Sequence, residues 1–217
     1  MAKNNRRKSR FGSFFITLGL LTLFAAAALT AYNWWDAKRA EEASAEIIEK
    51  MDEYLGENGD EPAVPEDFNP TEEKPYLKMP TVNIDGYEYI GKLQIPCLSL
   101  VLPVMAEWDY DRLKISPCRF TGSYFSNDLV ICGHNYAKHF SPIKTIGMGE
   151  DIWFITADHK RIHYKTSNIQ TLDPTDIGEM VENEKNSLGN INQWDMTLFT
   201  CNPGGFTRCA VRCTRVN

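Results

Sequence analysis

No Cys-x-x-Cys pair occurs among the six cysteines of the chain (Cys97, Cys118, Cys132, Cys201, Cys209, Cys213), so neither a zinc ribbon nor a thioredoxin-type redox pair is signalled. No internal repeat is visible, which leaves repeat architectures out. Beyond residue 80 there are no long helical patterns, and a parallel βαβ sheet needs crossover helices of that kind. Residues 76–217 also lack an excess of either charge, with fourteen bases against fifteen acids. Such a balance gives no basic stripe of the sort that nucleic-acid binding needs.

What is present is segregated along the chain. Residues 1–35 carry five bases (Lys3, Arg6, Arg7, Lys8, Arg10) and no acid. Residues 36–75 carry fourteen acids and four bases. Between the basic start and the acidic stretch, Phe11 to Trp35 runs for twenty-five residues without a charge. A span of ~20 apolar residues at ~1.5 Å per residue crosses the hydrocarbon core of a bilayer. Trp34 and Trp35 stand at its far end, where amphipathic rings favour the headgroup level. Bases before the span and acids after it predict a single-pass anchor with a cytoplasmic amino terminus and an extracellular remainder. Ala28-Leu29-Thr30-Ala31 offers the small residues of a cleavable signal, the competing reading. Both readings export the rest of the chain.

After the anchor, Ala40, Ala43, Ile47, Ile48, Met51, Tyr54 and Leu55 recur at helical spacing, with Gly56 as a stop. This predicts a short amphipathic helix that either packs on the domain that follows or serves as a stalk. Residues 57–80 are acidic and hold Pro62, Pro65, Pro70, Pro75 and Pro80, the composition of an extended linker. The expected organisation is a basic tail and anchor at 1–35, a helix and linker at 36–80, and one folded domain at 81–217.

From about Val82 short β-rich runs alternate with turns. Strands are expected at Glu88–Ile95, Leu98–Ala106, Asp128–Cys132, Asp151–Thr156, Arg161–Thr171, Asp195–Cys201 and Thr207–Val216. Ala157-Asp158-His159-Lys160 reads as a hairpin turn. Short helices are expected at Tyr110–Ile115, Ser141–Ile146 and Asp176–Lys185. Many short strands without long helices indicate an all-β closed barrel or sandwich. Six cysteines in an exported domain raise the question of disulfides. Cys209 and Cys213 lie four residues apart in one strand, ~13 Å, beyond the ~7 Å that a bond allows. Cys118–Cys213 and Cys97–Cys132 bonds stay open, and most of the cysteines are expected to pack as small apolar residues.

Three residues carry the chemistry. Thr197-Leu198-Phe199-Thr200-Cys201 is a β run ending at a thiol, followed by Asn202-Pro203-Gly204-Gly205, which cannot continue the strand. This puts Cys201 at the open end of a sheet, where a substrate can reach it. His134 follows the apolar run Leu129-Val130-Ile131-Cys132 and Gly133, again at a strand end, with His139 as its local rival. His159 falls in the hairpin turn and His163 alternates with Ile162 and Tyr164, so both are weak candidates. Arg208 opens the last strand across the Gly-rich loop from Cys201, with Arg208, Ala210 and Arg212 on one face and Cys209, Val211 and Cys213 on the other. If the strands flanking the loop pair, Arg208 approaches Cys201 and supplies fixed donors to an oxyanion.

At these residues the chain resembles the sortases. The family's TLxTC signature is matched by Thr197-Leu198-Phe199-Thr200-Cys201, its Gly-His after a strand by Gly133-His134, and its arginine on the last strand by Arg208. The segment Tyr89-Ile90-Gly91-Lys92-Leu93-Gln94-Ile95-Pro96 looks like the opening strand of the sortase barrel. The resemblance implies an eight-stranded β-barrel preceded by the transmembrane helix. It also implies a cysteine transpeptidase that cleaves a sorting signal resembling Leu-Pro-x-Thr-Gly between Thr and Gly through a thioester. Its implied partners are sorting-signal-bearing surface proteins and an amine acceptor, either a peptidoglycan precursor or a pilin lysine, with Cys201 as nucleophile, His134 as acid and Arg208 as oxyanion partner. No acidic cluster matches the calcium site of class A enzymes, so no calcium and no other cofactor is expected. Asp173 to Gln193 has room for only a short helix, against the long one of class B, and the subclass stays open. Two other readings compete: an exported caspase-like cysteine peptidase, which needs a parallel sheet, and a non-enzymatic anchored barrel whose cysteines are structural. A metal site at Cys132 and His134 lacks third and fourth ligands.

Overall fold

The computed structural model describes residues 10–56, 78–181 and 194–216. The basic tail, the acidic Pro-rich stretch 57–77 and the latter part of the helix expected at Asp176–Lys185 lie outside them. The chain divides into two compact units, 1–39 and 40–217.

Helix α1 runs unbroken over Arg10–Leu55, where the sequence pattern implies an anchor and a separate helix. No proline or glycine lies between Trp35 and Gly56, so nothing in the chain interrupts the i→i−4 ladder. In the first unit the side chains from Gly12 to Trp34 are exposed all round, and the helix is long and apolar enough to cross a membrane. At its end Lys38 lies 5.7 Å from the Trp34 ring and Arg39 5.6 Å from that of Trp35.

The second unit begins with the remainder of α1. Here Ala40, Ser44, Ile47, Met51 and Leu55 are buried, one stripe at spacings of three and four residues, as a helix packed along one face requires. Ile47, Met51 and Leu55 join a cluster with Tyr89, Ile155 and Ala157 on the outside of the barrel. Polar contacts fix the seat: Lys92, itself buried, meets Asp52 at 2.7 Å, and Ser44 Oγ donates to the Ile115 carbonyl at 2.8 Å. At the end of α1, His159 Nδ1 donates to the Leu55 carbonyl at 3.2 Å, satisfying a terminal carbonyl that has no partner within the helix.

The nine strands are β1 (Val82–Ile84), β2 (Tyr87–Ile95), β3 (Leu100–Met105), β4 (Cys118–Thr121), β5 (Leu129–Cys132), β6 (Asp151–Thr156), β7 (Arg161–Leu172), β8 (Met196–Cys201) and β9 (Arg208–Arg215). Eight of them, in the order β2-β3-β4-β5-β8-β9-β7-β6, close into a barrel through pairing of β6 with β2, and β1 extends one side. This is the all-β closed barrel expected from the strand pattern, and a caspase-like parallel sheet is ruled out by it. All pairings are antiparallel except β3 with β4 and β5 with β8.

Closure depends on Gly91. The amino-terminal part of β2 pairs with β1, its remainder pairs with β6, and the register against β3 shifts between Tyr89 and Gly91. A Cβ at Gly91 would lie 2.1 Å from the Ile155 carbonyl oxygen, so only glycine lets the two strands meet there. The interior is filled by Leu93, Leu102, Ile131, Phe154, Leu198 and Val211 among others. The outer faces of β5, β8 and β9 are buried as well, through Val130, Cys132, Phe199 and Ala210. Double burial explains why Leu129–Cys132 is an uninterrupted apolar run instead of an alternating one.

Helix α2 (Ile177–Val181) lies between β7 and β8, with Met180 and Val181 packed in the same outer cluster. The helices expected near Tyr110–Ile115 and Ser141–Ile146 are short 3₁₀ segments, Arg112–Lys114 and Ser141–Thr145.

Candidate active site

Strand β8 carries the thiol to the rim of the barrel. Alternation sends Leu198 inward and Phe199 outward, so Cys201, two residues beyond Phe199, faces outward. The strand stops at Pro203, which has no N–H to continue the ladder. The connection to β9 is closed by Asn202 N–H donating to the Thr207 carbonyl at 2.9 Å and Asn202 Nδ2 to Thr207 Oγ1 at 2.8 Å. Across it, Cys201 and Arg208 are direct register partners. Side chains so paired lie on one face with Cβ atoms ~5 Å apart. Arg208 Nη1 donates to the Gly205 carbonyl at 2.9 Å and more weakly to that of Thr207 at 3.3 Å. The loop thereby holds the guanidinium through one nitrogen, with further N–H groups available to a substrate oxygen.

Strand β5 delivers His134. Its register on β8 pairs Cys132 with Phe199, and the next step is fixed by two hydrogen bonds. Gly133 N–H donates to the Phe199 carbonyl at 3.1 Å, and Thr200 Oγ1 donates to the Gly133 carbonyl at 2.8 Å. Continuing the register sets His134 level with Cys201, one strand away. Gly133 is required by close approach, since a Cβ there would lie 2.6 Å from the Phe140 ring. The His134 ring stacks on Tyr136, centroids 4.7 Å apart, and its carbonyl accepts from Phe140 N–H at 3.1 Å. Cys201, His134 and Arg208 are each half-buried, so three adjacent strand ends bring the expected residues to one exposed rim.

The rival histidines have other places. His139 is fully buried, with Nε2 3.0 Å from Ser44 Oγ on α1, and burial lowers its pKa to about 4. His163 binds Asp151 at 2.8 Å and stacks on Trp153 at 4.0 Å. All six cysteines are free thiols, and the pairings that spacing leaves open are not formed. Cys118 packs outside the barrel while Cys213 packs inside it. Burial pushes the Cys118 and Cys213 thiols up, and that of Cys132 up to about 12. Such groups stay protonated and inert at neutral pH. Among the described residues no three His, Cys, Asp or Glu side chains converge as a metal site would.

Beside the rim stands an aromatic wall that sequence spacing does not reveal. Phe199 meets Phe120 edge-on at 5.3 Å, and Phe120 meets Trp108 at 5.2 Å. Their residue numbers are remote, and only the pairing of β4 into the sheet joins them. Alternation places Arg212 on the Arg208 face, but its complete burial has no signal in the sequence.

A family model described as "Sortase domain" matches residues 93–216. Among solved structures, the chain is similar to sortase A from Corynebacterium diphtheriae, with 20% identity over 60% of this chain and a TM-score of 0.52. It spans 62% of that structure's length. It is also similar to sortase C1 from Streptococcus agalactiae, with 23% identity, a TM-score of 0.50, and coverage of 62% of this chain and 71% of the other. At these identities the structural likeness speaks for the fold. No curated protein matches the sequence.

Proposed function

Since the chain belongs to the sortase family of cysteine transpeptidases, we propose that Cys201, His134 and Arg208 are its catalytic residues and that it transfers a sorting signal resembling Leu-Pro-x-Thr-Gly to an amine. The observation that carries this reading is the register pairing of Cys201 with Arg208 at the strand end level with His134.

The Cys201 thiolate attacks the threonine carbonyl carbon, and the carbonyl electrons move onto oxygen. Arg208, held by the Gly205 carbonyl, faces that oxyanion and donates to it. Collapse of the tetrahedral species breaks the Thr–Gly C–N bond, and protonated His134 gives its proton to the leaving amine. The thioester then holds the acyl group. An incoming amine attacks the same carbon, passes its proton to His134, and expels the Cys201 thiolate. The acceptor is a peptidoglycan precursor or a pilin lysine. The chain is organised as a cytoplasmic tail and anchor at 1–35, a helix and linker at 36–80, and an extracellular catalytic barrel at 81–217.

The test is cleavage of fluorogenic sorting-signal peptides by the full chain in detergent micelles, with and without an added amine. Cleavage between Thr and Gly, ligation to the amine and loss of both in Cys201→Ala are expected. Arg208→Lys, which keeps the charge but not the planar fork, lowers kcat by about a hundredfold. Wild-type rates in Cys201→Ala would overturn the assignment.

A further inference from the structure

Residues 133–140, the loop that carries His134, contain no strand or helix, so hydrogen bonds and packing alone give the loop its shape. At one end Gly133 is tied to β8, and at the other Phe140 is buried in the barrel interior. Between these points the loop meets α1 in two places. Lys138 approaches Glu41 at 3.9 Å, a pair of exposed side chains that contributes little. The other contact is buried. His139 Nε2 lies 3.0 Å from Ser44 Oγ and 3.4 Å from the Ala40 carbonyl oxygen, and Ala40, Ser44 and His139 are all withdrawn from solvent.

The supply of donors fixes the sense of this contact. Ser44 Oγ has a single proton and donates it to the Ile115 carbonyl at 2.8 Å, so towards His139 it accepts. The Ala40 carbonyl can only accept. His139 therefore carries its proton on Nε2, and the lone pair on Nδ1 finds no partner among the described residues. A buried acceptor left in that state is costly. An apolar ring would fill the space without that cost, so the use of the imidazole there is the bond from Nε2.

From this bond the loop leads back to the candidate site. The Tyr136 ring lies 5.5 Å from that of His139 and 4.7 Å from that of His134, stacked on the latter with 29° between the planes. The backbone closes the same circuit. The N–H groups of His139 and Ser141 both donate to the Tyr136 carbonyl at 3.1 Å, and Phe140 N–H donates to the His134 carbonyl at 3.1 Å. Ser44 of α1, His139, Tyr136 and His134 thus form one series of contacts, with the helix at one end and the proposed acid at the other.

We propose that His139 is a positioning residue: its bond to Ser44 fastens the loop to α1 and, through Tyr136, holds the His134 ring in the orientation from which it gives its proton. The inference rests on the transpeptidase reading above. It is tested on the full chain in detergent micelles, with isotope-labelled histidine, by peptide-cleavage kinetics and by the NMR signal of the His134 ring, one of four histidines to assign. His139→Phe, which removes the Nε2 donor, lowers kcat about tenfold with KM within about twofold. In that variant the His134 signal loses the shift that the stacked Tyr136 ring imposes. His139→Gln, whose amide N–H replaces the donor, recovers the shifted signal and a kcat within about threefold of the wild type. Ser44→Ala removes the acceptor instead, moves both readouts in the direction of His139→Phe, and carries the test if His139→Phe does not fold. Wild-type kcat in His139→Phe, or an unmoved His134 signal, would overturn the proposal, as would a rise in KM at constant kcat. If the wild type cleaves no sorting-signal peptide, the transpeptidase reading fails, and the His134 signal still decides whether His139 orders that ring.

Discussion

Within the loop after β5, two histidines five residues apart occupy opposite environments. His134 is half-exposed on the rim, whereas His139 is buried against Ser44 and the Ala40 carbonyl of α1. Tyr136 lies between them, 4.7 Å from the first ring and 5.5 Å from the second. Burial lowers the pKa of His139 from 6.5 to about 4, so the folded chain holds it neutral where the unfolded chain takes up a proton. Its contribution to stability is therefore complete above pH 6.5 and is lost as the pH falls towards 4. At ~1.4 kcal/mol per pKa unit, the loss reaches about 3 kcal/mol. Denaturant melts at pH 7 and pH 4.5 check this. The decline is expected to be smaller in His139→Gln by a large part of that amount, and an equal decline in both proteins would contradict it. Sequence spacing can name both histidines but not separate them, because burial of His139 depends on α1, about a hundred residues away.

The elements are legible where a local pattern fixes them and hidden where only tertiary pairing does. The β6–β7 hairpin is readable from two β-rich runs around a four-residue turn. Strand β4 is not: Cys118–Thr121 has four residues with Arg119 among them, and its hydrogen bonds go to β5 and β3. Strand β1 has three residues, and the signal it does leave is the Asp85-Gly86 turn, with φ of +52° and +85°, a two-residue hairpin connection. In α1 the change from all-round apolarity to a single stripe at Ala40 is legible, but it marks a change of surroundings and not a break in the helix. The stripe makes the helix part of the folded domain. Met51, fully buried at its centre, is expected to cost roughly 2–5 kcal/mol when replaced by alanine. Thermal unfolding of the full chain measures it, and a loss below ~0.5 kcal/mol would show that the helix merely rests on the barrel.

Across the whole molecule, charge and apolarity are laid out in order: a basic start, an uncharged span, an acidic stretch and a neutral barrel. That order predicts a protein that sediments with membranes and exposes its barrel outside the cell. In intact spheroplasts, added protease is expected to digest epitopes beyond residue 36 and to spare a tag at the amino terminus. Digestion of the tag instead would reverse the topology. The candidate site is legible in outline, because Cys201, His134 and Arg208 each stand at a strand end marked by Gly or Pro. The aromatic wall and the burial of Arg212 are not, since contacts between segments distant in sequence make them.

The central claim, acyl transfer through Cys201, is tested most directly by intact-mass and peptide-mapping spectrometry of the full chain quenched with acid during turnover of a sorting-signal peptide. The account predicts an adduct equal to the peptide up to and including its threonine, attached at Cys201 and released by an added amine. No adduct under conditions of active cleavage, or an adduct on any other cysteine, would contradict it.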